Sequence, residues 1–359
     1  MQNRYIVQLD GLRFFAVLMV MVAHWLQWSN PILTKIPFVH GVTLFFVLSG
    51  FLITRILLQN RDLYDKNQLK KAYLVKSFYI RRFFRIFPIY YLLIFLLFIF
   101  NYKNTQEIFP WLVTYTSNIY QSIHNVYVGD FNHFWSLAVE EQFYIFWPFL
   151  VLFIKPKRTF LAIILTIVLS LVTRVILYFM VDGWMATSYF TLSCMHALGL
   201  GALIAYVKLY KPKIEGSLAK RIWLYVAAGL YVVSLSFQNI LDLRWYKEIL
   251  DDFLFAILAL FIILRASNNG FTGLAKVVLE NKFIVYSGKI SYGLYVFHLF
   301  IPALMYVILP RIGVSISNKY IFFIASYMLT FCVASLSWKL IEAPINKLKN
   351  KVPYLKNKE

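Results

Sequence analysis

Two side chains that are costly in an apolar helix set the first chemical expectation. The stretch LDGLRFFAVLMVMVAHWLQW, residues 9–28, is apolar enough to enter a bilayer, yet it carries Arg13 and His24. At roughly 100° per residue their separation is about three turns plus about 20°, so both share one helix face, roughly 16 Å apart along the axis. Ionisable residues inside a membrane segment face a protein interior or a wet cavity. Two on one face mark a polar path running inward from the membrane edge. Glu140 and Glu141 follow in HFWSLAVEEQFYIFWP. A histidine and a carboxylate at one depth supply a base and its orienting partner. The same pair also serves as an ion pair or hydrogen bond joining two helices, and spacing alone leaves both readings open. A third group is Arg81, Arg82 and Arg85 in YIRRFFRIFPIYY, with Arg55 at the end of an earlier apolar run. Arg81 and Arg85 share a face at i,i+4. Grouped arginines bind phosphates bidentately, or they anchor topology and lipid headgroups.

The elements that must position these groups are membrane helices. The chain has 359 residues, 60% of them hydrophobic, and a mean hydropathy of +0.66; soluble domains are nearer about 45–50% apolar. Apolar runs of about 20 residues recur, the length a helix needs to cross a bilayer. The fold expected is all-α and polytopic. About ten spans are expected, near 7–28, 41–59, 85–102, 133–154, 159–181, 187–207, 221–238, 249–266, 288–309 and 319–340. Residues 1–341 read as a single transmembrane domain and 342–359 as a basic tail. No internal repeat is visible.

The net charge of +20 is explained by loops. Lys and Arg crowd the segments after the even-numbered spans: Arg61 to Arg82, Lys155 to Arg158, Lys208 to Lys220, Lys276 to Lys289, and the tail from Lys347. The intervening loops are poor in them. That alternation places both termini in the cytoplasm and makes nucleic acid an unneeded partner. Trp25 and Trp28 then sit at the outer interface. In the same frame Arg13 lies toward the cytoplasmic end, while His24 and Glu140 lie in the outer half.

The longest outer loop, 103–132, is polar and aromatic, with Trp111, Tyr115, Tyr120 and Tyr127; it suits a carbohydrate and an interfacial lid equally. The two cysteines, Cys194 and Cys332, fall in apolar segments and read as small buried residues. His133, His196, His298, His40 and His124 form no pair with metal-ligand spacing, so no metal is expected. The first stretch lacks a small-residue cleavage site and is expected to stay as a helix.

Five pieces together carry a family resemblance: LDGLRFFAVLMVMVAH, GVTLFFVLSGFLITR at 41–55, RRFFRIFPIYY at 81–91, FWSLAVEEQFYIFWP at 134–148 and SYGLYVFH at 291–298. In this order they resemble the acyltransferase-3 family of bacterial integral membrane acyltransferases. The resemblance implies transfer of an acyl group, most often acetyl from acetyl-CoA, to a hydroxyl of a surface or lipid-linked carbohydrate such as lipopolysaccharide, exopolysaccharide or peptidoglycan. It implies a multi-pass protein of the bacterial cytoplasmic membrane. The chain is expected to lack the esterase-like domain that some members carry.

The resemblance implies that Arg13 and His24 are essential, and it favours Glu140 over Glu141 as the catalytic carboxylate. Arg81, Arg82 and Arg85, with Arg55, are expected to hold the nucleotide end of the acyl-CoA. His24, oriented by Glu140, is expected to act as base or as acyl carrier, with Arg13 stabilising negative charge. His133, Trp135, Ser136 and Glu141, at the outer opening of the fourth span, are the expected acceptor contacts. The competing reading is a proton-coupled transporter or flippase of a lipid-linked sugar, in which buried Arg, His and Glu form a relay.

Overall fold

A computed structural model describes residues 5–27, 30–67, 70–241 and 243–354; Trp28 lies outside them. Among the described residues the regular structure is helical, with no strand. Helices α1 (Val7–Trp25), α2 (Gly41–Lys66) and α3 (Lys71–Ile99) are followed by two short ones, α4 (Thr105–Val113) and α5 (Ser117–His124). Next come α6 (Phe134–Phe153), α7 (Pro156–Met180), the short α8 (Trp184–Tyr189) and α9 (Thr191–Tyr210). Then follow α10 (Pro212–Leu218), α11 (Arg221–Leu241), α12 (Asp252–Ala266), α13 (Gly273–Leu279) and α14 (Lys282–Lys289). The chain closes through α15 (Ser291–Phe297), α16 (Phe300–Arg311), α17 (Lys319–Ser337) and α18 (Ala343–Lys347).

Among the described residues, seven helices are long and apolar enough to cross a membrane, or nine if the pairs α10–α11 and α15–α16, bent by 56° and 53°, each count as one span. The protein is a multi-pass membrane protein. The eighth expected span, 249–266, is shortened to the 15 residues of α12. Glu248, Asp251 and Asp252 occupy its entry, and acids disfavour the bilayer core. The third span begins at Lys71 rather than near 85, so Arg81, Arg82 and Arg85 lie within the helix. Lys and Arg are good helix formers, and their stems lie along apolar neighbours.

Contacts fix which ends coincide. Arg61, read above as a loop charge, is fully buried. It donates to the Val151 carbonyl at 2.8 Å, the Thr159 hydroxyl at 3.0 Å and the Tyr210 hydroxyl at 2.7 Å, tying together the ends of α2, α6, α7 and α9. Gln8 donates to the Phe271 carbonyl at 3.1 Å and the Glu280 carboxylate at 2.8 Å. The Lys/Arg-rich loops therefore gather at one end of the bundle, called here the basic end. Helices α2 and α9 pack backbone to backbone: a Cβ on Gly50 would lie 2.0 Å from the Leu198 carbonyl oxygen, and one on Gly201 would lie 2.1 Å from that of Val47. Small residues allow such approach where lipid supplies no hydrophobic drive.

At the opposite end an ionic cluster joins α2, α7, α9 and α12. Asp252 accepts from Arg174 at 2.7 Å and lies 3.1 Å from His196 Nε2 and 3.3 Å from His40 Nδ1. His40 Nε2 stands 3.0 Å from Asp251. Arg174 is 2% exposed, so Asp252→Asn strands a buried guanidinium. The expected cost is about 3–5 kcal/mol, read as a lower thermal midpoint of the detergent-solubilised protein. Of the cysteines, Cys194 is buried but Cys332 is exposed, on the outward face of α17.

Candidate active site

A cavity of about 450 Å³ enters from the basic end and runs between α1, α2, α3, α6 and α15. Its wall carries six cations, Arg13, Arg55, Arg81, Arg82, Arg85 and Lys349, against two carboxylates, Asp10 and Glu140. Arg13 bonds Asp10, one turn earlier on the same helix, and Tyr5 bonds the other oxygen of that carboxylate. Arg55, Arg82, Arg85 and Lys349 have no carboxylate within 4.0 Å among the described residues. Arg82 lies over the Tyr144 ring at 5.2 Å and Arg55 over Phe51 at 6.0 Å. Arg81 is already committed: it donates to the carbonyls of Lys349 at 2.7 Å and Val352 at 3.1 Å. A cavity with this excess of unpaired cations attracts a polyanion.

Deeper in, Glu140 meets the hydroxyls of Ser49 and Tyr144, which also bond each other. The inner end is closed by Ser136, whose Oγ is 2.5 Å from the Tyr295 hydroxyl; that hydroxyl lies 2.8 Å from the His133 carbonyl. Glu141, one residue on, is turned out of the cavity toward Tyr90, Tyr91 and Tyr115 on the α3 side. Trp135 stacks on Tyr189 with ring centroids 4.2 Å apart and is not part of the cavity wall. Of the outer-loop aromatics, Tyr115 is buried and stacks on Tyr90 at 4.4 Å, while Tyr127 is exposed.

His24 lies beyond that closed end, exposed at the opposite end of the bundle. The expected His24–Glu140 pair does not form; the partner of His24 is His298. Nδ1 of His24 is 2.9 Å from Nε2 of His298, and Nδ1 of His298 is 2.6 Å from the Tyr295 carbonyl. With both rings neutral, these contacts assign the tautomers. A carbonyl oxygen only accepts, so the His298 proton is on Nδ1 and its Nε2 is a lone pair. His24 therefore donates from Nδ1, which leaves the lone pair of His24 on Nε2. The Trp25 indole donates to the His298 carbonyl at 3.0 Å and fixes the pair. His133, 1% exposed, packs its ring 4.8 Å from that of His298.

The acyltransferase-domain family model matches residues 6–339, nearly the whole chain. The chain belongs to the acyltransferase-3 family. The peptidoglycan O-acetyltransferase OatA of Listeria monocytogenes is 30% identical over 96% of this chain and 56% of its own length. An O-acetyltransferase OatA of Staphylococcus aureus is 28% identical over 96% of this chain and 58% of its own length. The chain thus spans somewhat more than half of these relatives. No solved structure matches it.

Arg13, Glu140, Arg55, Arg81, Arg82 and Arg85 line one cavity. His24 stands apart from it, and Trp135, Glu141 and His133 lie outside its wall. The site also includes Tyr295 and His298, which i,i+3 spacing within SYGLYVFH puts on one helix face. Ser49, Tyr144 and Asp10 sit within motif pieces already quoted, but nothing in their spacing marks them as cavity residues.

Proposed function

We propose that this chain is a membrane O-acetyltransferase of a bacterial cytoplasmic membrane, moving acetyl from cytoplasmic acetyl-CoA to a hydroxyl of an envelope glycan on the outer side. The observation that carries this reading is one cavity leading from unpaired arginines at the basic end to a closed layer beneath the His24–His298 pair. The basic end faces the cytoplasm in this reading. Arg55, Arg82 and Arg85 hold the donor's phosphates, and the thioester lies at the level of Glu140 and Tyr144. The acceptor class is taken from the relative named for peptidoglycan and from the exposure of His24 at the far end.

His24 Nε2 supports two routes for the group. In one it takes the proton of the sugar hydroxyl, whose oxygen attacks the thioester carbonyl; the C–S bond breaks and the thiolate recovers the proton from the imidazolium. In the other, Nε2 itself attacks the thioester carbonyl and the thiolate leaves; the hydroxyl oxygen then attacks the acyl-imidazole, the C–N bond breaks, and the hydroxyl proton is taken up by way of the freed imidazole to neutralise the thiolate. In both, the layer of Ser136 and Tyr295 must open for the acyl group to pass. Donor sidedness tests the reading. Inverted membrane vesicles should form hydroxylamine-labile acetyl ester from added acetyl-CoA, and sealed right-side-out vesicles should not. Arg82→Gln should raise KM for acetyl-CoA about tenfold, the size of one charge-assisted hydrogen bond. Ester formation by right-side-out vesicles, or none by either, would overturn the proposal.

A further inference from the structure

Helix α18 and the residues after it form a strap across the mouth of the cavity, beyond the segment matched by the family model, which ends at residue 339. The strap is held by its backbone. Besides the two bonds from Arg81, the Ser77 hydroxyl donates to the Pro353 carbonyl at 3.3 Å and the Tyr64 hydroxyl to that of Tyr354 at 2.6 Å. The Tyr354 ring lies 4.6 Å from the Arg81 guanidinium. These anchors leave three strap side chains on the cavity wall: Asn346, Lys349 and Tyr354.

Two of them lack a partner that the cavity should supply. Lys349 sits within the field of Arg81, Arg82 and Arg85, so it adds a like charge where charges already repel, an arrangement that an anion offsets. Asn346 is 6% exposed, and neither its side-chain nitrogen nor its oxygen has a hydrogen-bond partner among the described residues. An idle buried carboxamide offers one donor group and one acceptor, the complement of a secondary amide. Asn346 is the more buried of the two and precedes Lys349 by about one turn. A ligand entering the mouth with its phosphates outermost and amides behind them meets these residues in that order.

We propose that the strap is part of the donor site: Asn346 bonds an amide of the donor's arm and Lys349 binds its phosphates, so that the strap selects a nucleotide-linked thioester over a short one. This rests on the acyl-CoA reading above. The test measures dissociation constants of the purified, detergent-solubilised chain for CoA, 3′-dephospho-CoA and pantetheine. Lys349→Gln should weaken CoA about tenfold and pantetheine less than about twofold. Asn346→Leu should weaken both by a similar factor. Lys351→Gln, an exposed strap lysine outside the cavity wall, serves as the charge control. If Lys349→Gln is no worse than Lys351→Gln, or weakens CoA and pantetheine alike, the strap is structural and the proposal falls while the donor reading stands. If the wild type binds no CoA, both fall. If it binds micelles of phosphatidylglycerol through Lys349 and not CoA, the site takes a lipid headgroup and the proposal is overturned.

Discussion

His24→Ala is expected to lower acyl transfer by about 10²–10⁴-fold, the usual range for removing a positioned acid–base group, while the protein inserts and folds normally. The folding half of this expectation comes from exposure: the His24 side chain is exposed, and its hydrogen bond to His298 joins two neutral rings. Such a bond contributes only about 0.5–1.5 kcal/mol. The chemical half comes from the Nε2 lone pair that the tautomer chain leaves free. Measuring hydroxylamine-labile acetyl on envelope glycans, with membrane levels matched, checks both halves. Acylation by His24→Ala at the wild-type rate would remove His24 from the mechanism. A second readout separates the two routes. Incubating wild type with radiolabelled acetyl-CoA in the absence of acceptor should label the protein only if Nε2 carries the acyl group.

The sequence made the heights of these residues legible but not their directions. Depth follows from counting residues at about 1.5 Å each from a span's end. On that count Glu140 and His24 share the outer half and read as a pair. The azimuth of α6 relative to α1 depends on what packs between them, and Glu140 turns instead to Ser49 on α2 and Tyr144 on its own helix. The true neighbour of His24 comes from a bent span, α15–α16, whose break falls at His298 itself. A hydrophobicity pattern reads straight through that break. Arg81 shows the same limit from the other side. Its type suggested phosphate, yet it anchors the carbonyls of a tail with no helical periodicity to announce it. The crowding of Lys and Arg into alternate loops needed no such packing detail. It follows from where charge is tolerated near a bilayer, and the contacts of Arg61 and Gln8 gather those loops at one end as the spacing required.

The larger consequence of the tautomer chain concerns His298. Removing its Nε2 acceptor should free His24 to take the other tautomer, putting a proton on the atom proposed to act as base or nucleophile. Where a neighbour holds a catalytic histidine in one tautomer, its loss lowers kcat by up to about 10⁴. The holder here is a neutral ring rather than a carboxylate, so His298→Leu is expected to lower kcat roughly a hundredfold. KM for acetyl-CoA should hardly change, because His298 is absent from the wall of the basic cavity. His298→Gln supplies the discriminating case. Its amide oxygen can accept from His24 Nδ1 near where the imidazole Nε2 stood, so it should recover part of the rate that leucine loses. A purely structural His298, 0% exposed and packed against Tyr295 and His133, would behave otherwise. Leucine and glutamine would then lower protein stability together, with activity following the amount of folded protein. Equal specific activity per folded molecule in His298→Leu and wild type would dissolve the His24–His298 couple as a catalytic unit.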